Sequence, residues 1–166
     1  MHPTDPTIRP ARPSDASALR RLQSYLAEPS PVLLSAAIEE LDSPPPTCSF
    51  QLRVSVADRI AADSTPDEQP VGYVLAVSGE TTHLVELAVG PDYRREGRAR
   101  ALCSAVLASA TPPVTVHVAA DNTAARTLYE SMGFVEHERT ADQFETSKGL
   151  TLRYCDENTP DGPGSA

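Results

Sequence analysis

The stretch Glu86-Leu87-Ala88-Val89-Gly90-Pro91-Asp92-Tyr93-Arg94-Arg95-Glu96-Gly97-Arg98-Ala99 leaves the chain the fewest ways to fold. An apolar run halts at Pro91, which can neither donate to a sheet ladder nor sit inside a helix. A turn carrying Arg94 and Arg95 follows, and Gly97 and Ala99 open a segment rich in Ala and Leu. The pattern predicts a strand, a tight turn and a helix in direct succession. Backbone N–H groups converge at such a helix start and the helix dipole favours negative charge there, so the segment is a candidate phosphate cradle. Gly97 suits that role because a residue without Cβ takes unusual dihedrals and lets an anion approach the backbone. An ordinary turn glycine would look the same.

At 166 residues the chain suits one domain with its own core, drawn here as residues 1–155. Its formal charge of −9 argues against nucleic acid as a partner and for small molecules or proteins. Lys148 is the sole lysine, a bias that fits a salt-adapted source or plain compositional drift and changes no chemistry. Cys48, Cys103 and Cys155 lie far apart, without the close pairs of a zinc site or a disulfide framework. They read as reduced thiols of a cytoplasmic protein, with Cys103 a small hydrophobe buried in a helix. No stretch approaches the roughly 20 apolar residues that span a bilayer, and Met1-His2-Pro3-Thr4-Asp5-Pro6 lacks an export signal, so no membrane is expected.

Thr7-Ile8-Arg9 reads as a first strand, and Ser14 as the cap of a helix from about Asp15 to Leu26. A second helix runs from about Val32 to Leu41 and stops at Ser43-Pro44-Pro45-Pro46. Ser49–Val56 and Val71–Val77 read as strands, joined by a polar, exposed and mobile Asp58–Pro70 connection. Next come a strand over His83–Val89, a helix from Gly97 to about Ser109 and a β-branched strand over Val114–Val118. Ala124–Met132 is a helix closed by Gly133, Phe134 to about Arg139 returns as a strand, and Leu150–Tyr154 closes the sheet. Residues 156–166 have almost nothing to bury and read as a disordered tail.

Alone, Arg94-x-x-Gly97-x-Ala99 is a weak motif. A second segment strengthens it: Asn122-Thr123-Ala124-Ala125-Arg126-Thr127-Leu128-Tyr129-Glu130-Ser131-Met132-Gly133-Phe134, in which Ala125 and Tyr129 lie one helical turn apart. Together the two segments resemble the GNAT N-acetyltransferases, most closely the branch that acetylates ribosomal-protein alanine and other protein N-termini. The resemblance covers roughly Ile8 to Tyr154, with its specific motifs between Glu86 and Phe134. It implies an α/β fold with a mixed central β-sheet flanked by helices, acetyl-CoA as acyl-donor cosubstrate, and no metal.

By the same resemblance, backbone groups of Leu87, Ala88 and Val89 hold the pantetheine arm. The Arg94-led loop, through N–H groups of Arg95, Glu96, Gly97, Arg98, Ala99 and Arg100, holds the pyrophosphate. Asn122 contacts the pantetheine, and Tyr129 presents its hydroxyl to the sulfur. Ala99 replaces the commoner glycine, and Arg98 stands where an apolar residue is usual, directed to solvent or to the phosphates. For Tyr129 the alternative is packing beside Phe134.

The implied reaction is direct attack of a neutral amine on the thioester, with Tyr129 as general acid. In the N-terminal branch a glutamate precedes the asparagine on its strand, where this chain has His117. A histidine keeps a proton acceptor there with a different pKa; it could equally be satisfied structurally. Glu86 is the rival base. A histidine near 6.5 meets an α-amine near 8 across about 1.5 units, and a lysine near 10.4 across almost 4, roughly 2 against 5 kcal/mol. A protein N-terminal α-amine is therefore the leading acceptor and a small-molecule amine the next, for a monomer or homodimer. A non-catalytic CoA-binding regulatory module and a purely structural interaction domain are the readings from other classes.

Overall fold

Seven strands and four α-helices form among the residues that the computed structural model describes, which are 6–27, 29–42, 50–59, 67–110, 112–140 and 149–155. Cys48, Lys148, the Ser43–Pro46 run, the chain before Pro6 and the tail after Cys155 lie outside them. The elements are β1 (Thr7–Pro10), α1 (Ala16–Gln23), α2 (Pro31–Asp42), β2 (Phe50–Arg59), β3 (Asp67–Ser78), β4 (Thr82–Val89), α3 (Arg98–Ser109), β5 (Val114–Ala119), α4 (Thr123–Ser131), β6 (Val135–Thr140) and β7 (Gly149–Tyr154). The sheet order is β1-β2-β3-β4-β5-β7-β6. The β4–β5 pairing is parallel, and the β1–β2, β2–β3, β5–β7 and β6–β7 pairings are antiparallel. This is the expected mixed α/β sheet.

The chain divides into two compact units, one of Met1–Val77 with Val85–Ser109 and one of Ser78–Leu84 with Ala110–Ala166. In the first, Leu19 and Leu22 of α1 and Leu34, Ala37 and Ile38 of α2 recur at helical spacing and bury against Leu52, Val54 and Val56 of β2 and Tyr73 and Leu75 of β3. Leu102, Cys103 and Val106 of α3 are fully buried as well. Burial pushes the Cys103 thiol up to about 12, although Arg100 acts to lower it, which suits an inert core residue.

Three expectations change here. Asp58–Arg59 and Asp67–Pro70 are not loop: the hairpin continues through Val56↔Pro70, Ala57↔Gln69, Asp58↔Glu68 and Arg59↔Asp67. Backbone pairing satisfies these peptide groups whatever their side chains, and a register shift at Ser55/Val56 accommodates the ring of Pro70. Ser14 is not the helix cap. It lies inside a 3-10 turn, Pro13–Asp15, and Asp15 accepts from the Arg12 N–H at 2.8 Å and from Arg9 Nη1 at 2.8 Å. The α1 helix also ends at Gln23, from which tighter three-residue hydrogen bonds carry the chain to Leu26.

In the second unit, Leu84, Val114, Val116, Val118, Leu150 and Leu152 are buried. Residues 114, 116 and 118 of β5 point to the packed side, while 115, 117 and 119 are more open. The β7 strand does not close the sheet but runs between β5 and β6. Leu150, Thr151 and Leu152 are buried in succession, as an interior strand requires, whereas Val135, Glu136 and His137 of β6 are exposed and suit the edge.

Gly72 leaves no room for a side chain, since a Cβ there would lie 3.0 Å from the Ala88 carbonyl oxygen and 3.3 Å from Val89 Cγ2. We expect Gly72→Ala to cost about 1–3 kcal/mol in a urea melt; an unchanged midpoint would show that the two strands can separate freely there.

Candidate active site

The first unit carries the candidate anion-binding turn. The Gly90 N–H donates to the Val71 carbonyl at 2.8 Å, which fixes the chain where β4 ends, and Pro91–Tyr93 form a 3-10 turn. Arg95 (φ 65°) and Gly97 (φ 80°) then take left-handed conformations immediately before α3. Alternation of this kind turns successive N–H groups inward, and α3 adds its unsatisfied N-terminal donors. Nothing lies within 4 Å of a Cβ built on Gly97, so the glycine is needed for its dihedral and not for space. These residues fit a pyrophosphate, with Arg94 and Arg95 exposed beside the N–H groups.

The side chains around this turn are already engaged. Arg94 Nε donates to the Val89 carbonyl at 3.2 Å. Glu96 accepts from Arg98 Nε at 3.0 Å. Arg98 turns toward β2: Nη1 donates to Ser55 Oγ at 2.9 Å and to the Val56 carbonyl at 3.1 Å, and the guanidinium lies 5.5 Å from the Tyr93 ring centroid. Its side chain fastens the start of α3 to β2. Ala99 is half-buried and Arg100 exposed; on β4, Leu87 and Val89 are half-buried and Ala88 is buried.

Glu86, on the same strand, is 5% exposed. Its Oε1 accepts from Gln23 Nε2 and Tyr73 Oη, both at 3.1 Å, and its Oε2 from Gln23 Nε2 at 3.1 Å and the Ser30 N–H at 2.7 Å. Burial, reinforced by the Glu86 charge and hydrogen bond, raises the Tyr73 phenol pKa and keeps it a donor. Neither Gln23 nor Tyr73 stands out in the sequence as a partner for Glu86, because each is an ordinary residue until the fold brings it there.

The second unit carries the other candidates. His117 is exposed on β5, and its Nδ1 lies 2.8 Å from Thr151 Oγ1 on β7. Its ring centroid is 4.5 Å from that of His83 on β4, tilted by 51°. His83 is a residue that sequence reasoning passes over; its Nδ1 lies 2.8 Å from Thr115 Oγ1. Burial, and then the charge of His117, pushes the His83 imidazole down to about 4.

Asn122 precedes α4 and its Oδ1 accepts from the Ala125 N–H at 3.1 Å, the usual work of an N-cap. Gly133 (φ 103°) closes α4 as expected. Tyr129 is 5% exposed and meets the Phe134 ring edge-on at 5.3 Å, so it does pack there. The packing involves the ring, while the phenol oxygen is the polar end of the same side chain.

Removing one donor from the buried carboxylate should destabilise the first unit. We expect Tyr73→Phe to lower stability by about 1–3 kcal/mol in chemical denaturation; a neutral result would mean that the Glu86 oxygen finds another donor at no cost.

A family model described as an acetyltransferase (GNAT) domain matches residues 59–147. Over 68 residues, 40% of this chain, the sequence is 41% identical to mycothiol acetyltransferase of Clavibacter sepedonicus, of which the match spans 22%. Among solved structures, Arabidopsis thaliana NAA60 in complex with acetyl-CoA superposes with a TM-score of 0.71 at 21% identity, covering 89% of this chain and 97% of that one. The ribosomal-protein-S18-alanine N-acetyltransferase from Escherichia coli gives a TM-score of 0.69 at 20% identity, covering 93% and 98%. At these identities the two structures share the fold. Among the described residues no helix is long and apolar enough to cross a membrane.

Proposed function

Because the chain belongs to the GNAT acetyltransferase family, we propose that it transfers the acetyl group of acetyl-CoA to a primary amine, with a protein N-terminal α-amine as leading acceptor. The observation that carries the reading is the turn in which Arg95 and Gly97 adopt positive φ and deliver their N–H groups to the start of α3. We take residues 1–155 as one acetyltransferase domain working in the cytoplasm.

On this reading, backbone N–H groups from Arg95 to Arg100 hold the pyrophosphate, with the Arg94 and Arg95 side chains adding charge. Backbone groups of Leu87 to Val89 and the Asn122 side chain hold the pantetheine arm. Acetyl-CoA supplies the thioester, whose C–S bond breaks as the C–N bond to the amine forms. His117 takes the proton the amine loses, and Tyr129 gives its phenolic proton to the departing sulfur, regaining one from water. Glu86 is the weaker candidate base, because both its oxygens are committed to donors, whereas His117 is exposed.

The test is thiol release from acetyl-CoA over a panel of N-terminal peptides and small amines. Turnover on peptides supports the leading acceptor; turnover on small amines alone supports the alternative; binding without turnover on any acceptor supports a regulatory module. Tyr129→Phe should lower kcat by about 100-fold with acetyl-CoA affinity nearly unchanged, and full turnover would remove Tyr129 from the mechanism. His117→Ala should lose most activity at low pH, where less of the amine is already neutral. A loss that does not vary with pH would move the base to Glu86.

A further inference from the structure

Two identical arrangements stand side by side in the second unit. His83 on β4 and Thr115 on β5 are register partners, as are His117 on β5 and Thr151 on β7, and in each pair the histidine Nδ1 lies 2.8 Å from the threonine Oγ1. A threonine hydroxyl bonded at Nδ1 restrains rotation of the ring, and in the tautomer whose Nδ1–H donates to that hydroxyl the opposite nitrogen, Nε2, carries the lone pair. Adjacent strands then set the two rings against each other at 4.5 Å.

The two rings differ in their access to water. His83 is half-buried, and its neighbours on the β4 strand, Thr82 and Leu84, are buried; His117 is exposed. A charge is better hydrated on the exposed ring, and two imidazolium groups at this separation oppose each other. When the pair takes up a single proton, that proton belongs on His117.

We propose that His83 is a positioning residue for His117: it stays neutral and holds its ring, tilted by 51°, against the base, steadying the imidazolium that forms when His117 accepts a proton. The inference rests on the assignment of His117 as base in the proposed reaction. The shift of His83 toward about 4, caused by burial and then by the charge of His117, agrees with this division of labour. A neutral ring beside a cation stabilises it through the ring quadrupole, where a second cation would repel it. Among the ionisable residues at register positions on these strands, Arg153 of β7 lies opposite Thr115 and Glu138 of β6 opposite Thr151, while Tyr154, Glu136 and Arg139 lie opposite Val114, Leu152 and Leu150. They are common to every variant compared below.

The experiment is a histidine NMR titration of the full chain without acyl donor, alongside pH profiles of kcat/KM. The wild type should show His117 taking up its proton at higher pH than His83, which remains neutral down to about 4. His83→Phe keeps an aromatic face and should leave the His117 titration nearly in place. His83→Leu fills similar volume without that face, and should lower the His117 titration by about half a pH unit. The acid limb of the kcat/KM profile should move the same way. Thermal melts confirm that both variants fold. Titration of His83 itself between pH 5 and 8, an upward move of His117 by a full unit in His83→Phe, or identical His117 titrations in the Phe and Leu variants would each overturn the proposal. Loss of the base assignment is read separately, as full activity of His117→Ala, and leaves the titration result standing or falling by itself.

Discussion

The first unit is organised around a carboxylate that has, among the described residues, no basic side chain as a hydrogen-bond partner. Glu86 is buried, and a buried acid is costly unless donors replace the water it gives up. Here they come from three separate places: Gln23 at the end of α1, the Ser30 backbone ahead of α2, and Tyr73 on β3. The dependence is mutual. Tyr73 is fully buried and Gln23 nearly so, and each uses Glu86 as an acceptor for its own polar group. The network therefore holds together only when complete, and its completion places both helices and β3 against the strand that leads into the anion-binding turn.

That turn shows strain supported from outside. Gly97 takes a positive φ at no steric cost, but Arg95 does so against roughly 1–2 kcal/mol of backbone preference. A residue keeps such a conformation when both flanks are fixed. Upstream, the Gly90 N–H is bonded to Val71; downstream, Arg98 is tied to Ser55 and Val56 and rests on Tyr93. Arg98, an unusual residue at its place in the motif, thus fixes the helix start that the cradle needs.

What could be read from the sequence were the features with a local cause. The β4 run, the proline turn, the glycine before α3 and the glycine after α4 each announce themselves within a few residues, and all lie where the pattern put them. The long hairpin ends were hidden because polar residues can pair through their backbones as well as apolar ones. The place of β7 was hidden because strand order depends on which edge is already occupied. The Glu86 network was hidden for a similar reason: Gln23 is 63 residues away in the chain, and no pattern around either residue marks the meeting. His83 became legible only once register set it against Thr115 and brought its ring to His117.

Environment also separates the proton-handling candidates. A base must give its proton to water in every turnover, so a carboxylate bound by four hydrogen bonds would have to break some of them each time, at about 1 kcal/mol or more apiece. An exposed imidazole exchanges without that penalty. A phenol near 10 holds its proton too tightly for a base and suits donation to a thiolate forming beside it. On the proposed assignment histidine takes the exposed role, tyrosine that of the donor and glutamate that of the anchor. In such a reaction the cost of removing a proton from the acceptor grows with every unit by which the amine's pKa exceeds that of the base.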